Sequence, residues 1–301
     1  MAEDGAEHRR ERVAVVTVTY SPGEHLDDFL ASIPAATITA PRVLMADNGS
    51  VDGAPEAAAE RYPFARLLRT GANLGYGGAV NFAAAQVPVD VEFLLVANPD
   101  VRFAPGAIDE LLAAADRLPG AGAFGPLIRD PDGTVYPSAR EVPQLVSGAG
   151  HAVLGKVWPA NPWTRTYQQA EAAIAERDAG WLSGSCLLVR RAAFDALGGF
   201  DDRYFMYMED VDLGDRLTRA GWRNVYVPSA EIVHAKGHAA GRVPEVTLRA
   251  HHVSAYRFFA DRNPGPARLP LRVALKAGLG ARSRIAVTMA KRARAGAVRE
   301  R

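Results

Sequence analysis

Val13–Glu24 reads VAVVTVTYSPGE, and six of its first seven residues are β-branched. Such a run predicts a strand buried on both faces. Ser21-Pro22-Gly23 then turns the chain, and His25–Ile33 reads as a helix. A buried strand feeding a helix through a short loop is the repeating unit of an α/β sheet. The unit recurs outward from this stretch. Strand Arg42–Ala46 precedes helix Ala54–Tyr62, and strand Ala65–Arg69 precedes helix Ala79–Ala85. Strand Glu92–Ala97 precedes a helix that begins near Pro105, a residue suited to a first helical turn, and runs to about Leu118. This alternation argues for a parallel α/β sheet. The first loop, TYSPGE, lacks the glycine fingerprint of a dinucleotide site, which argues against a nicotinamide-dependent oxidoreductase.

The pattern changes after Gly120. Ile128–Ser138 carries DPDG between strand-like flanks, a hairpin signal. Residues 141–178 read as a long loop region with a helix near Gln168–Glu176. Trp181–Arg190 reads as one strand and Arg191–Leu197 as a short helix. Arg223–Val227 and Glu231–His234 read as two short strands. A helix from about Glu245 to Asp261 is followed by a Pro/Gly break (NPGPARLP) and a basic helical tail.

The 301 residues are 48% hydrophobic, which supports a sizeable core, and the net charge of +1 provides no global field for nucleic acid. The charge is unevenly placed: residues 268–301 hold ten Lys or Arg and a single acid, Glu300. Such asymmetry points to a tail with its own partner. Arg268, Arg272 and Lys276 recur at four-residue spacing beside Leu271, Leu275 and Leu279, a pattern that suits an anionic membrane surface or a packed helix. The one cysteine, Cys186, lies in an apolar run and permits no intrachain disulfide, which fits the cytoplasm. The polar opening MAEDGAEHRRER lacks the apolar core of a signal peptide. No apolar stretch approaches the ~18 residues of a membrane span.

Ligands of parallel sheets bind at the carboxyl ends of strands, so the loops there carry the functional reading. Thr19, Tyr20 and Ser21 follow the first strand and suit either a nucleotide base and ribose or an ordinary turn. Asp47 and Asn48 follow the second and suit the polar edge of a pyrimidine or an Asx turn. Asn73, Gly75, Tyr76 and Gly77, with Asn81 beyond them, read as a glycine-rich turn over a sugar or phosphate. The stricter GxGxxG/A pattern fails at Val80. Asn98-Pro99-Asp100 closes the fourth strand, and a carboxylate there suits a hard divalent cation that bridges phosphates. His234 ends a later strand and reads as a further ligand or a structural histidine. Phe205–Arg216 (FMYMEDVDLGDR) places Glu209, Asp210 and Asp212 after an aromatic and methionine run at a helix start, a setting for a general base or for a helix cap.

In order, VTVTYSPGE, ADNGSVDG, NLGYGGAVN, NPDV, WLSGSCLLVRR and FMYMEDVDLGDR followed by His234 resemble the family-2 glycosyltransferases, over roughly Val13–Asp261. The resemblance implies the GT-A fold, a Rossmann-like mixed sheet flanked by helices. It implies a catalytic domain over 12–240, with a nucleotide-sugar half to 126 and an acceptor half from 127, and a helical, membrane-associating extension over 241–301. It makes Asp210 the base, with Glu209 and Asp212 as orienting acids. Asp47 becomes the base-binding acid, and Asn98 joins the donor site. Asp100 binds the metal, Mg2+ or Mn2+, with His234 as a further ligand, and Trp181, Ser183, Gly184 and Ser185 line the acceptor site. One departure is that Asn98-Pro99-Asp100 stands where many members carry Asp-x-Asp.

GAGHAVLGKVWPANPWTR, GWLSGSCLLVRR and HHVSAYRFFADR are similar to the actinobacterial rhamnosyltransferases of that family. That similarity implies inverting transfer of L-rhamnose from a dTDP-sugar donor, dTDP-β-L-rhamnose. The acceptor would be polyprenyl-diphosphate-linked N-acetylglucosamine, joined in an α-1,3 link during synthesis of the cell-wall arabinogalactan linker. It implies a cytoplasmic protein, peripheral on the inner face of the cell membrane, and admits a homo-oligomer. Two alternatives stand beside it: a transferase using another dTDP- or UDP-sugar for polysaccharide synthesis, and a non-catalytic nucleotide- or glycan-binding module.

Overall fold

The structure, a computed structural model, describes residues 11–143, 174–235 and 244–299. The N-terminal half alternates as expected: β1 (Val13–Thr19), α1 (His25–Ala36), β2 (Val43–Asp47), α2 (Ala54–Arg61), β3 (Ala65–Arg69), α3 (Gly75–Ala84) and β4 (Phe93–Ala97). A short β5 (Val101–Phe103) leads to α4 (Ala107–Arg117) and β6 (Ala121–Arg129), which turns through Gly133 into β7 (Val135–Tyr136). After β8 (Ala139–Arg140) come β9 (Arg177–Ala179), β10 (Trp181–Leu182), β11 (Cys186–Arg190) and α5 (Arg191–Ala196). Then follow α6 (Glu209–Arg219), β12 (Arg223–His234), α7 (Pro244–Asp261) and α8 (Leu269–Arg299).

The main sheet runs β3-β2-β1-β4-β11-β6-β12-β5. Its β3-β2-β1-β4 half is parallel, but β11 enters antiparallel to both β4 and β6. The sheet is therefore mixed, not wholly parallel as the alternation alone implies. This insertion shapes the site. Because β11 runs backwards, its first residue, Cys186, pairs with Ala97 at the end of β4. β12 runs parallel to β6, so its last residue, His234, emerges at the same sheet edge. The carboxyl ends of β1, β2, β4 and β12 and the start of β11 thus share one edge.

Both faces are buried, and side chains alternate between them as a pleated strand requires. Val13, Val15, Phe93 and Leu95 pack with Phe29, Leu30, Ile108 and Leu111 under α1 and α4. Ala14, Val16, Leu94 and Val96 pack with Val80, Phe194, Leu213 and Leu217 under α3, α5 and α6. A smaller cluster of Tyr204, Val211 and Phe258 fixes α7 to α6.

Several elements differ from expectation. The glycine-rich stretch is not a loop throughout, since α3 begins at Gly75. The strand read over Trp181–Arg190 is broken at Ser183–Ser185: β10 pairs with β8, a register that Ser183 N–H continues to the Ser138 carbonyl at 2.8 Å, whereas β11 joins the main sheet. The two strands read over 223–234 are one, interrupted by a register shift between Val227 and Glu231. In the tail, Leu271, Leu275 and Leu279 are half-buried, and α8 packs along α7. Arg272 donates to the Asn263 and Gly265 carbonyls, and Lys276 lies over the Tyr256 ring. Among the described residues, the large apolar side chains that α8 exposes are instead Leu269, Val273, Ile285 and Met289. The division expected between 126 and 127 falls inside β6, so both halves share one continuous sheet. Of the helix expected at 168–176, residues 174–176 are not helical and the rest lie outside the described residues.

Candidate active site

Asp210 sits in the first turn of α6 and faces the broken strand. Its carboxylate accepts the Gly184 N–H at 3.0 Å and the Val211 N–H at 2.8 Å. Gly184 permits this approach: a Cβ there would stand 3.3 Å from the Asp210 Cβ. Burial raises the Asp210 carboxyl above the usual range, and the two backbone donors pull the other way. Glu209, 8% exposed, is also raised, by burial first and then by the Asp210 charge. Its Oε2 has no hydrogen-bond partner among the described residues. Two adjacent carboxyls that cannot both ionise cheaply divide the roles. The Gly184 and Val211 N–H donors favour the charged form of Asp210, while burial and the Asp210 charge push Glu209 up to about 8 against the pull of its own backbone N–H.

Asp212 does not join this pair. It is buried and accepts from Arg216 Nε at 2.6 Å, with Arg262 at 3.4 Å. Its carboxylate ties α6 to α7, so the structure places it with the support of the loop and helix rather than beside Asp210.

At the end of β4, Asp100 Oδ1 lies 3.0 Å from His234 Nε2, and Asn98 Nδ2 lies 3.4 Å from the same nitrogen. Asp100 can only accept, so His234 donates from Nε2. His234 Nδ1 is buried without a partner among the described residues. The pair is strung to the Asp210 site through the strand break. Asn98 N–H donates to the Ser185 carbonyl at 2.9 Å, Ser183 Oγ bonds Ser185 Oγ at 3.2 Å, and Tyr76 OH donates to the Gly184 carbonyl at 2.6 Å. Burial, with Glu209 and Asp210 close by, raises the Tyr76 phenol well above its ordinary value and keeps it a donor. Trp181 donates its indole N–H to the Glu141 carbonyl at 3.1 Å.

The ends of β1 and β2 form the third part. Asp47 is buried, and its Oδ1 accepts Thr19 Oγ1 at 2.9 Å and both the N–H and the hydroxyl of Ser50. Among the described residues Oδ2 meets only the Ser50 N–H at 3.3 Å and Arg69 at 4.0 Å, so it retains acceptor capacity. Asn48 donates to the Gly75 carbonyl at 3.0 Å and fixes the 70–75 turn, while Asn73 accepts the Gly75 N–H. Ser21 exchanges hydrogen bonds with Ser50 and Val51. Tyr20 is half-exposed at the edge.

Two expected donor-site residues point elsewhere. Asn81 spends its amide on the Phe200 backbone, donating at 2.8 Å and accepting at 2.9 Å. Gly77 packs against the Phe200 side chain. Gly75, at φ +75°, lies where a Cβ would strike the Phe205 carbonyl, which in turn accepts the Tyr76 N–H at 3.1 Å. The glycines therefore serve close packing of α3 on the loop before α6.

Ser50 and Arg140 were missed by sequence reasoning. Ser50 seats Asp47, and DNGS carried that signal as an Asx turn. Arg140 lies within 5.7 Å of the Trp181 ring and lowers the Asp210 carboxyl through its charge. Its position beside Asp210 depends on the β8–β10 pairing, which no local pattern announces.

Residues 14–198 match the family model described as glycosyl transferase family 2. The chain belongs to glycosyl transferase family 2. It is thus a glycosyltransferase. As a family-2 chain it is 60% identical over 282 residues to the N-acetylglucosaminyl-diphospho-decaprenol L-rhamnosyltransferase of Mycobacterium tuberculosis, covering 91% of this chain and 92% of that one. It is 29% identical over 199 residues to the rhamnosyltransferase WbbL of Escherichia coli, covering 64% and 73%. Among solved structures, the mannosyltransferase PcManGT from Pyrobaculum calidifontis, in complex with GDP-Man and Mn2+, superposes with a TM-score of 0.57 at 20% identity. That match covers 96% of this chain and 75% of the other, and it supports the GT-A fold. No described helix is long and apolar enough to cross a membrane.

Proposed function

We propose that this family-2 enzyme transfers L-rhamnose from dTDP-β-L-rhamnose to N-acetylglucosamine carried on a polyprenyl diphosphate, with inversion. The observation that carries this reading is the near-full-length identity to the mycobacterial L-rhamnosyltransferase. Asp210 removes the proton from the acceptor hydroxyl as that oxygen attacks the anomeric carbon. The bond from that carbon to the diphosphate oxygen breaks, and the nucleoside diphosphate leaves from the opposite face. One base suffices for a single displacement, and it contributes ~10²–10⁴-fold in rate. Gly184 and Val211 hold that base in place, and protonated Glu209 avoids a second charge beside it. Asp47 accepts a pyrimidine N–H through Oδ2, with Tyr20 against the nucleoside.

Asp100 and His234 fit a divalent cation, Mg2+ or Mn2+. The Asp100 carboxylate and the His234 imidazole, 3.0 Å apart, would hold such an ion together, with His234 in the tautomer that carries its proton on Nδ1. Among the described residues no third His, Cys, Asp or Glu joins them. When bound, the ion offsets the charge developing on the leaving diphosphate.

Membrane association is part of the same proposal. Exposed Leu269, Val273, Ile285 and Met289 stand among the basic residues of α8, an arrangement that suits an anionic surface. The test is rhamnosyl transfer by the purified protein to a polyprenyl-diphosphate-linked N-acetylglucosamine, with and without chelator. Product that needs the metal supports the reading; transfer from a UDP-sugar and not from dTDP-rhamnose overturns it.

A further inference from the structure

Between α7 and α8 lies a groove of about 470 Å³, within the range of small-ligand sites. Leu248, Leu279 and Ala286 supply its apolar wall. Arg282, His251 and His252 supply its polar side, and no Asp or Glu is among its described lining residues. His252 donates from Nδ1 to the Leu248 carbonyl at 2.7 Å. One end is closed by Tyr207, whose ring meets His251 edge-on with centroids 5.5 Å apart and whose hydroxyl shares a hydrogen bond with Thr247.

Tyr207 connects this groove to the chemistry. It stands three residues before Asp210 in a loop where Tyr207 and Met208 both hold positive φ, 67° and 69°. That conformation is unfavourable for side-chain-bearing residues and is fixed from two sides. Ser254 of α7 donates to the Met206 carbonyl at 2.9 Å, and Tyr76 of α3 donates to the Phe205 carbonyl. The groove and the base therefore flank one rigid loop. By contrast, a cavity of about 320 Å³ beside Asp100 mixes Asp28, Asp100 and Asp130 with Arg102 and Arg129 in its wall, so its carboxylates offset its cations.

We propose that the α7–α8 groove binds the lipid diphosphate of the acceptor, with the diphosphate against Arg282 and His251 and the first isoprene units along Leu248, Leu279 and Ala286. This rests on the reading of the chain as a transferase to a polyprenyl-diphosphate-linked sugar. It adds where the lipid end is held: on the C-terminal helices, outside the sheet-edge cleft. An isoprenoid diphosphate joins an apolar chain to a compact anion, and the groove pairs an apolar wall with the Arg282 guanidinium and the His251 and His252 imidazoles; burial, then the neighbouring His252 and Arg282, lowers the His251 ring, so it meets the anion as a neutral N–H donor beside the one fixed charge.

The test is calorimetric binding of farnesyl diphosphate, inorganic diphosphate and dihexanoyl phosphatidylglycerol to the full chain, without vesicles or donor. Farnesyl diphosphate should bind the wild type more tightly than inorganic diphosphate does. Arg282→Gln, at an exposed position, should weaken farnesyl diphosphate about tenfold, the effect of losing one charge-assisted hydrogen bond. Leu279→Asn should weaken farnesyl diphosphate while leaving inorganic diphosphate unchanged. Equal affinity in wild type and both variants, or no farnesyl diphosphate binding, overturns the proposal. So does binding of the phospholipid but not of farnesyl diphosphate, which would mark a membrane headgroup site. Because no sugar donor is present, failure of the rhamnosyl assay with intact, variant-sensitive farnesyl diphosphate binding would sink the donor assignment and leave the groove standing.

Discussion

At the scale of single residues, the account turns on two adjacent carboxyls with different surroundings. Asp210→Asn keeps the two backbone contacts in reach but removes the base, so kcat should fall by ~10²–10⁴-fold while donor affinity holds. Retained turnover with lost donor binding would contradict the assignment. Because burial raises the Asp210 carboxyl, the acid limb of kcat/KM should lie at higher pH than an exposed aspartate would give. A pH–rate profile reads this directly. Glu209 gives a stability test. Its folded pKa is raised, so between the unfolded and folded values the native state binds more protons, and stability declines as pH rises through that window. Glu209→Gln should flatten this slope, with Tm gained at pH 8 and little changed at pH 4; parallel Tm curves would refute it. The ED-x-D spacing marked these acids in the sequence. It did not separate them, because the Gly184 donor comes from 26 residues away and Arg262, which holds Asp212, from 50.

Among the elements, α3, α6 and α7 clamp the loop before the base, and each contact is open to test. Gly75→Ala places a Cβ on the Phe205 carbonyl and a side chain at φ +75°, which should cost more than about 2 kcal/mol. It should lower kcat along with Tm; an unchanged Tm would show that the loop yields freely. Arg262 bonds Asp215 at 2.5 Å and reaches Asp212, so Arg262→Gln should destabilise by about 3 kcal/mol, measured by denaturant unfolding. The strand–helix alternation of the first hundred residues was legible because its apolar runs and loop signals are local. The mixed order of the sheet was not, since β11 is paired by contacts distant in sequence. NLGYGG showed its glycines plainly, but their reason, close approach of the Phe205 backbone, lies 130 residues further on.

For the molecule as a whole, topology gathers the ends of β1, β2, β4 and β12 and the start of β11 at one edge, and the C-terminal helices stand beside that edge. The basic excess of the tail was visible in composition. Which of its apolar residues stay exposed was not, because that depends on how α8 packs along α7. Replacing Ile285 and Met289 by Ser should weaken binding to anionic vesicles in a flotation assay while leaving Tm unchanged, and undiminished binding would refute the anchor. The most direct measurement of the central claim is transfer from dTDP-rhamnose to polyprenyl-diphosphate-linked N-acetylglucosamine by the purified chain, run beside Asp210→Asn. The account predicts a rhamnosylated product with the wild type and its loss in a variant that still binds the donor. Product formed at the wild-type rate by Asp210→Asn would contradict it.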